Sequence, residues 1–594
     1  MTSPALLRAP RSVLPQHIDQ FILPHVRVSA CPSARSIRVA PHTSSGVTVR
    51  GYPAREPRSP GTHTPGAPTV AYATSCGRPW ACTQGTSSPP PPTSPRSCGP
   101  PPANRAPTGN STRTRCGWRN TCALGLRRGD HVALVSDNDL RVMEVYWAAL
   151  RSGLYITAVD HHLTPDEAAY IVGDCGARAL IVSANALSAV DTAPDAYPGV
   201  EHRLVYGGVL PGFDEYASTL DMYDTAPLDD QPRGADMLYS SGTTGRPKGI
   251  EPKLPDGRIQ EIPDPYTAVF APMYGFDADT VYLRPAPLYH AAPLRFCGTI
   301  QSVGGTVVLM DRFDPEDALA LIDRYRVTAS QWVPTMFVRM LKLPEETRAK
   351  YDVSSMKVAV HAAAPCPPEI KRAMIEWWGP VINEYYAATE GSGVTFIDSA
   401  QALAHPGSVG RDGVLGVVHI CDEDGAELPT GSVGTVWWER DERPFEYHND
   451  PEKTAKATHP EHPTWTTSGD IGYLDEDRFL YLTDRAAFMI ISGGVNIYPQ
   501  ESENALTLHP KVFDVAVIGV PDAEMGEVVK AVVQLADGVE PGPDVEQELL
   551  AYVRSKVSHY KAPRSIDFSD DLPRTPTGKL VKRELRARYL PVPS

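Results

Sequence analysis

From residue 131 onward, the hydrophobic positions follow two alternating patterns. HVALVS is a short apolar run of the kind that fills a buried strand. LRVMEVYWAALRSG then carries Leu140, Met143, Trp147 and Leu150 at helical spacing and stops at Gly153. LYITAV predicts the next strand. Thr164-Pro165-Asp166-Glu167 predicts a helix start, with Thr164 as N-cap, Pro165 in the first turn and Glu167 closing a capping box. ARALIVS follows as a strand. Asp314-Pro315-Glu316-Asp317 repeats the device before ALALIDRY, between the apolar runs GTVVLM and VTASQWV. Alternating strands and helices imply an α/β domain built on largely parallel sheets.

Near residue 485 the pattern changes. FMIISGG, FDVAVIGV and VVKAVVQLA read as strands, mixed with two helices around ESENALTLH and DVEQELLAYVRSKV. The expected organisation is a large α/β domain over 124–484 and a small, mobile α+β domain over 485–594. Residues 1–123 fit neither pattern. This region contains no Lys and only Asp19 and Glu56 as acids, and SSPPPPTSPRSCGPPPANRAP has no period. It reads as a low-complexity segment: a disordered leader, a transit peptide too rich in Pro for an amphipathic helix, or a GC-rich gene translated out of frame before about residue 124. The third reading is favoured, because ordinary sequence begins abruptly at LGLRRGDHVALV.

Composition narrows the function. The 594-residue chain is 42% hydrophobic with net charge −15, which argues against general nucleic-acid binding. No apolar run approaches the roughly 18 residues of a membrane span. Cys31, Cys76, Cys82, Cys98, Cys116 and Cys122 lie early in the chain, and the other four cysteines have no metal-ligand spacing. Reduced thiols in a cytoplasmic protein are expected.

The chemistry concentrates in YSSGTTGRPKG. Ser240, Ser241, Thr243 and Thr244 offer hydroxyls, Gly242, Gly245 and Gly249 allow close backbone approach, and Lys248 adds a mobile charge. Such a donor set suits a polyphosphate. It is not the nucleoside-triphosphatase loop, because Pro247 precedes Lys248 and Gly249 follows it. The string resembles the phosphate-binding signature of the adenylate-forming superfamily: acyl-CoA synthetases, peptide-synthetase adenylation domains and luciferases.

Further segments carry the same resemblance in the family's order. PAPLYHAAPL holds His290, where the family lines its acyl path. HAAAPCPPE holds Ala363, Ala364 and Pro365, small residues on which a flat base can lie; the family usually has Gly in this stretch. NEYYAATEG resembles the motif Tyr-Gly-x-Thr-Glu. It implies Tyr386 stacking on adenine, Thr389 bonding a phosphate and Glu390 holding Mg2+. Ala387 stands where Gly is usual, at a cost of about 1 kcal/mol if its φ is positive. In TSGDIGYLDED, Asp470 is placed for the ribose hydroxyls. DRAAFMIISGGVNIYPQESE supplies Arg485 for ribose and phosphate oxygens, a hinge at Ala487, and Gly493 and Gly494 along the pantetheine path. LPRTPTGKL supplies Lys579. The run from Asp484 is most similar to bacterial acyl-CoA synthetases of the fatty-acid type.

The resemblance implies an acid–thiol ligase. A carboxylate displaces pyrophosphate from ATP, and CoA then displaces AMP from the acyl-adenylate. A fatty or aryl acid, ATP, CoA and Mg2+ are the expected partners. Trp332, Met336 and Phe396 are candidates for an apolar acyl tunnel, or equally for core. Alternatives are a stand-alone adenylation enzyme that loads a carrier protein, activation of another oxyanion, and a non-catalytic nucleotide-binding relic. For the N-terminal segment the expected outcome is a frame break on resequencing. Peptides recovered from 1–123 in one uninterrupted frame would exclude it.

Overall fold

The computed structural model describes residues 70–74, 124–193, 195–221, 230–240, 247–262, 264–485, 488–493, 495–522, 524–574 and 580–589. Two sheets form the body. The first has six parallel strands in the order Asp214–Glu215, His202–Tyr206, Ala177–Ser183, His131–Val135, Tyr155–Val159, Ala235–Asp236. The second has eight. Its parallel centre runs Thr306–Met310, Val281–Arg284, Ala329–Trp332, Val358–His361, Ile382–Ala387. Antiparallel strands Val394–Ile397 and Arg411–Leu415 close one side. At the other edge Val70–Thr74, from the low-complexity segment, pairs antiparallel with Thr306–Met310.

The continuous apolar runs of these strands follow from burial on both faces. Val132 and Leu134 enter one core cluster while Ala133 and Val135 enter another. In the eight-stranded sheet, Tyr282, Val307 and Leu309 face the first of these clusters, and Leu283, Val308 and Met310 face a third. The first cluster therefore belongs to both sheets. Helices Leu140–Arg151, Pro265–Tyr274 and Ala291–Ser302 contribute to it through Met143, Phe270 and Phe296. A polypeptide with one apolar face per helix and two per parallel strand has few other ways to bury them.

Beyond this body lie a four-stranded antiparallel sheet (Val417–Cys421, Gly434–Glu439, Asp470–Leu474, Leu480–Arg485) and a three-stranded one (Glu446–Tyr447, Lys248–Glu251, Leu238–Ser240). The smaller C-terminal domain is built on the long antiparallel pair Val512–Asp522 and Gly526–Leu535, with helices Gln500–Thr507 and Pro543–Arg554 packed on it. The Lys342 ammonium of the body donates to the Val512 carbonyl at 2.6 Å. Among the described residues no helix is long and apolar enough to cross a membrane.

Local rules hold where they were strongest. The helix from Pro165 carries the expected reciprocal cap: the Glu167 amide donates to Thr164 Oγ1 at 3.4 Å, and the Thr164 amide donates to Glu167 Oε2 at 3.0 Å. Asp314 caps the helix Pro315–Tyr325 through the amides of Glu316 and Asp317. Thr164→Ala is expected to cost about 1 kcal/mol in chemical denaturation, and Thr164→Ser to restore most of it.

Candidate functional site

The carboxyl ends of the parallel strands form the natural binding edge of an α/β sheet. At that edge the structure assembles two small constellations. The first is built around Tyr447. Its hydroxyl donates to Glu390 Oε1 at 2.9 Å. Its ring lies under the Lys248 ammonium, 4.9 Å from the centroid. Lys248 begins the second strand of a hairpin, paired with Ser240, and Glu390 sits in the turn that follows the strand Ile382–Ala387. The phenol thus joins two segments far apart in sequence. Burial and the neighbouring Lys453 together bring the Lys248 ammonium down to about 8, with Glu390 and Asp450 opposing.

The second constellation is Tyr386, Asp470 and Ser468. The Tyr386 hydroxyl donates to Asp470 Oδ2 at 2.6 Å, and Ser468 donates to the same oxygen at 2.7 Å. Asp470 is almost fully buried, and the Tyr386 ring lies 6.0 Å from that of Trp438. Gly393 is required here, because a Cβ would lie 1.9 Å from the Trp438 ring. Arg440 donates to the carbonyls of Gly391 and Ser392 at 3.0 and 3.3 Å, pinning the loop after Glu390.

Behind both lies a buried ion pair. Lys371, on the helix Pro368–Trp378, bonds Glu384, and His361 Nε2 approaches the same carboxylate at 3.7 Å. Burial, then the Lys371 charge, holds His361 well below its ordinary range, so the imidazole is neutral. His361 and Glu384 lie in the strands Val358–His361 and Ile382–Ala387, the first leading into Ala362–Pro365 and the second carrying Tyr386.

The sequence matches the family described as AMP-binding enzyme over residues 121–441 and that family's C-terminal domain over 501–579. The chain belongs to the AMP-binding enzyme family. Feruloyl-CoA synthase of an Amycolatopsis species is 33% identical over 475 residues, covering 79% of this chain and 90% of that protein. Long-chain-fatty-acid–CoA ligase FadD13 of Mycobacterium tuberculosis is 31% identical over 493 residues, covering 81% and 92%. Among solved structures, ATP-bound MatB from Rhodopseudomonas palustris superposes with a TM-score of 0.65 at 26% identity, covering 81% of this chain and 93% of that one.

The candidate residues of this AMP-binding enzyme divide into groups. Lys248, Tyr386, Glu390 and Asp470 fall into the constellations above, and Thr389 lies in the same turn as Glu390. Ala363, Ala364 and Pro365 form the loop just past the strand Val358–His361. His290 sits at the N-cap of the helix Ala291–Ser302 and contributes no side-chain cap; its ring lies 4.5 Å from that of Tyr289. Gly493 has φ +56° in a tight hairpin turn, which by itself requires glycine. Ser241, Gly242, Thr243, Thr244, Gly245, Ala487, Gly494 and Lys579, and the side chains of Ser240 and Arg485, lie outside the described residues.

Two open points are decided. Ala387 ends a regular strand, paired with Val394, and carries no positive φ. The left-handed residue is Ala363, at φ +75°. The proposed tunnel also splits: Trp332 and Met336 are buried on the far face of the eight-stranded sheet, whereas Phe396 packs on the near face with Phe270. A strand alternates faces, so Gln331, not Trp332, points to the near side. Tyr447 and Arg440 escaped sequence reading because each works through a long-range contact, and Ser468 because a Ser two residues before an Asp is an ordinary local pair. A Tyr beside an Asn-Asp-Pro turn is too common a signal to single out.

Two measurements follow from the site. With Lys248 in the phosphate role that its motif implies, bound ATP would favour the charged form, and the free protein loses that charge above pH about 8. ATP kcat/KM is therefore expected to fall as pH rises through about 8, and Lys248→Arg to remove that limb. Ala363→Gly is expected to leave the thermal midpoint unchanged or raised, because relief of about 1 kcal/mol of backbone strain offsets the greater freedom of the unfolded chain. Ala387→Gly, in extended backbone, is expected to lower it.

Proposed function

We infer that this AMP-binding enzyme is an ATP-dependent acid–CoA ligase. An acid carboxylate attacks the α-phosphorus of ATP, pyrophosphate leaves, the CoA thiol attacks the acyl-adenylate carbonyl, and AMP leaves. The observation that carries the reading is Tyr447. It holds an acid, Glu390, and a cation, Lys248, of two separate family motifs at one place. A nucleotide polyphosphate is a ligand that uses both.

The residues take the following roles. Lys248 and the hydroxyls of 240–244 neutralise the β- and γ-phosphates. Glu390 fits a Mg2+ ion: it is a carboxylate with Oε1 fixed by Tyr447, which leaves Oε2 for a hard cation. When bound, that ion supplies charge compensation across the phosphates. Tyr386 and the loop Ala363–Pro365 present flat and small surfaces to adenine. Asp470, oriented by Ser468 and Tyr386, receives the ribose hydroxyls, assisted by Arg485. Thr389 bonds the α-phosphate, and Lys579 reaches it during adenylation only. His290 borders the acid, and Gly493 and Gly494 border the pantetheine arm. Rotation of 485–594 about Ala487 exchanges the two half-reactions. CoA is the thiol in preference to a carrier protein, and the location is cytoplasmic.

Lys579→Ala is expected to abolish carboxylate-dependent pyrophosphate exchange while leaving thioester formation from preformed acyl-adenylate largely intact. Equal loss of both would contradict the two-position mechanism. Glu390→Gln should lower adenylation kcat by about 10²–10³-fold, the usual effect of removing one preorganised electrostatic contact. Faster transfer to a phosphopantetheinylated carrier than to CoA would reverse the assignment of the thiol.

A further inference from the structure

The near face of the eight-stranded sheet contains a charge that no anion among the described residues balances. Arg284 ends the strand Val281–Arg284 and is 0% exposed. None of its Nε, Nη1 and Nη2 atoms has a hydrogen-bond partner among the described residues. The titratable groups that act on it are Cys297, Tyr282 and Tyr289. Burial raises the Cys297 thiol to about 12 and raises both phenols, so all three are neutral. The guanidinium itself, lowered by burial to about 10, stays charged at neutral pH.

A buried cation with no partner costs several kcal/mol, and a methionine would fill the same space without that cost. The position of Arg284 defines which ligand group would reach it. Leu283 pairs with Ser330 across the parallel strands, so Arg284 lies beside Gln331 at the binding edge. Gln331 Nε2 donates to the Tyr385 hydroxyl at 3.2 Å, while Gln331 Oε1 and the hydroxyls of Tyr274 and Tyr282 are buried without partners among the described residues. Around them are aromatic rings: Phe270 lies 4.8 Å from Phe296 and 5.4 Å from Tyr385. Polar atoms left unpaired inside an aromatic enclosure are what a ligand with an apolar body and a polar end would satisfy.

We propose that Arg284 receives a second carboxylate of the acid, so that the enzyme activates a dicarboxylic acid with an apolar or aryl spacer. This rests on the ligase reading above and specifies its substrate. One carboxylate meets ATP at the edge. The other meets the planar fork of Arg284, which bonds carboxylates in bidentate fashion. Gln331 and the two phenols border that end, and the rings of Phe270, Phe296 and Tyr385 enclose the spacer.

The test uses matched acids in hydroxamate-trapped adenylation: hexanoate with adipate, octanoate with suberate, and benzoate with terephthalate and its monomethyl ester. The wild-type chain is expected to prefer the diacid in at least one set by on the order of 10²-fold or more in kcat/KM, because the wrong substrate leaves buried polar groups unpaired. Arg284→Met should reverse that preference toward the monoacid, and Arg284→Lys should keep part of it. Without ligand, Arg284→Met should melt at least about 2 °C higher, since it removes an uncompensated charge. The preferred diacid should raise the wild-type melting temperature and leave that of Arg284→Met unmoved. Equal use of monoacid and diacid in every set would overturn the proposal while sparing the ligase reading, as would a lower melting temperature with equal losses on all acids in Arg284→Met. Absence of adenylation with every acid, together with no shift by any diacid, would overturn both.

Discussion

The Tyr447 phenol governs the candidate site. It donates to Glu390 and lies beneath Lys248, and so ties a hairpin of the three-stranded sheet to a turn at the end of the eight-stranded one. Without that tie, two flexible and oppositely charged side chains would each be solvated separately, and an exposed ion pair between them would be worth little. The aromatic ring supplies a partly desolvated surface, and the hydroxyl fixes one carboxylate oxygen. An acid and a cation held in this way need little reorganisation to meet the polyphosphate proposed above.

The rigidity of that edge comes from behind it. Lys371, Glu384 and the neutral His361 sit inside the core where apolar residues would be expected. Burying an ion pair seldom adds stability over well-packed apolar side chains, yet breaking one is costly. The pair links the helix Pro368–Trp378 to the strand Ile382–Ala387, and His361 brings the neighbouring strand Val358–His361 to it. The strand Val358–His361 leads into the loop Ala362–Pro365, and the strand Ile382–Ala387 carries Tyr386. The same sheet edge also carries Arg284, whose charge no described residue compensates. The contrast between the two buried cations is physical: Lys371 has a protein carboxylate within bonding distance, and Arg284 has phenols and a thiol.

Much of the architecture was legible in the sequence. Buried parallel strands announce themselves as apolar runs, and the Thr164 and Asp314 helix starts are written in four consecutive residues each. The motifs of Lys248, Tyr386, Glu390 and Asp470 were legible as separate strings with family resemblance. What stayed open was the choice between tunnel and core for Trp332, Met336 and Phe396: the alternation of the strand Ala329–Trp332 sends Trp332 to the far core. Both Ala363 and Ala387 stand where glycine is familiar, and only the backbone path shows that, of the two, Ala363 turns left-handed.

The sequence by itself determined the fold class, the order of elements and the chemical character of each motif, because these depend on hydrophobic period, capping residues and side-chain type within short windows. The tertiary structure alone decided which charges meet. Tyr447 reaches Glu390 across 57 positions, Gln331 reaches Tyr385 across 54, and Arg284 meets no anion among the described residues. Pairing of that kind is set by sheet order and strand register, and no local window of the chain carries either.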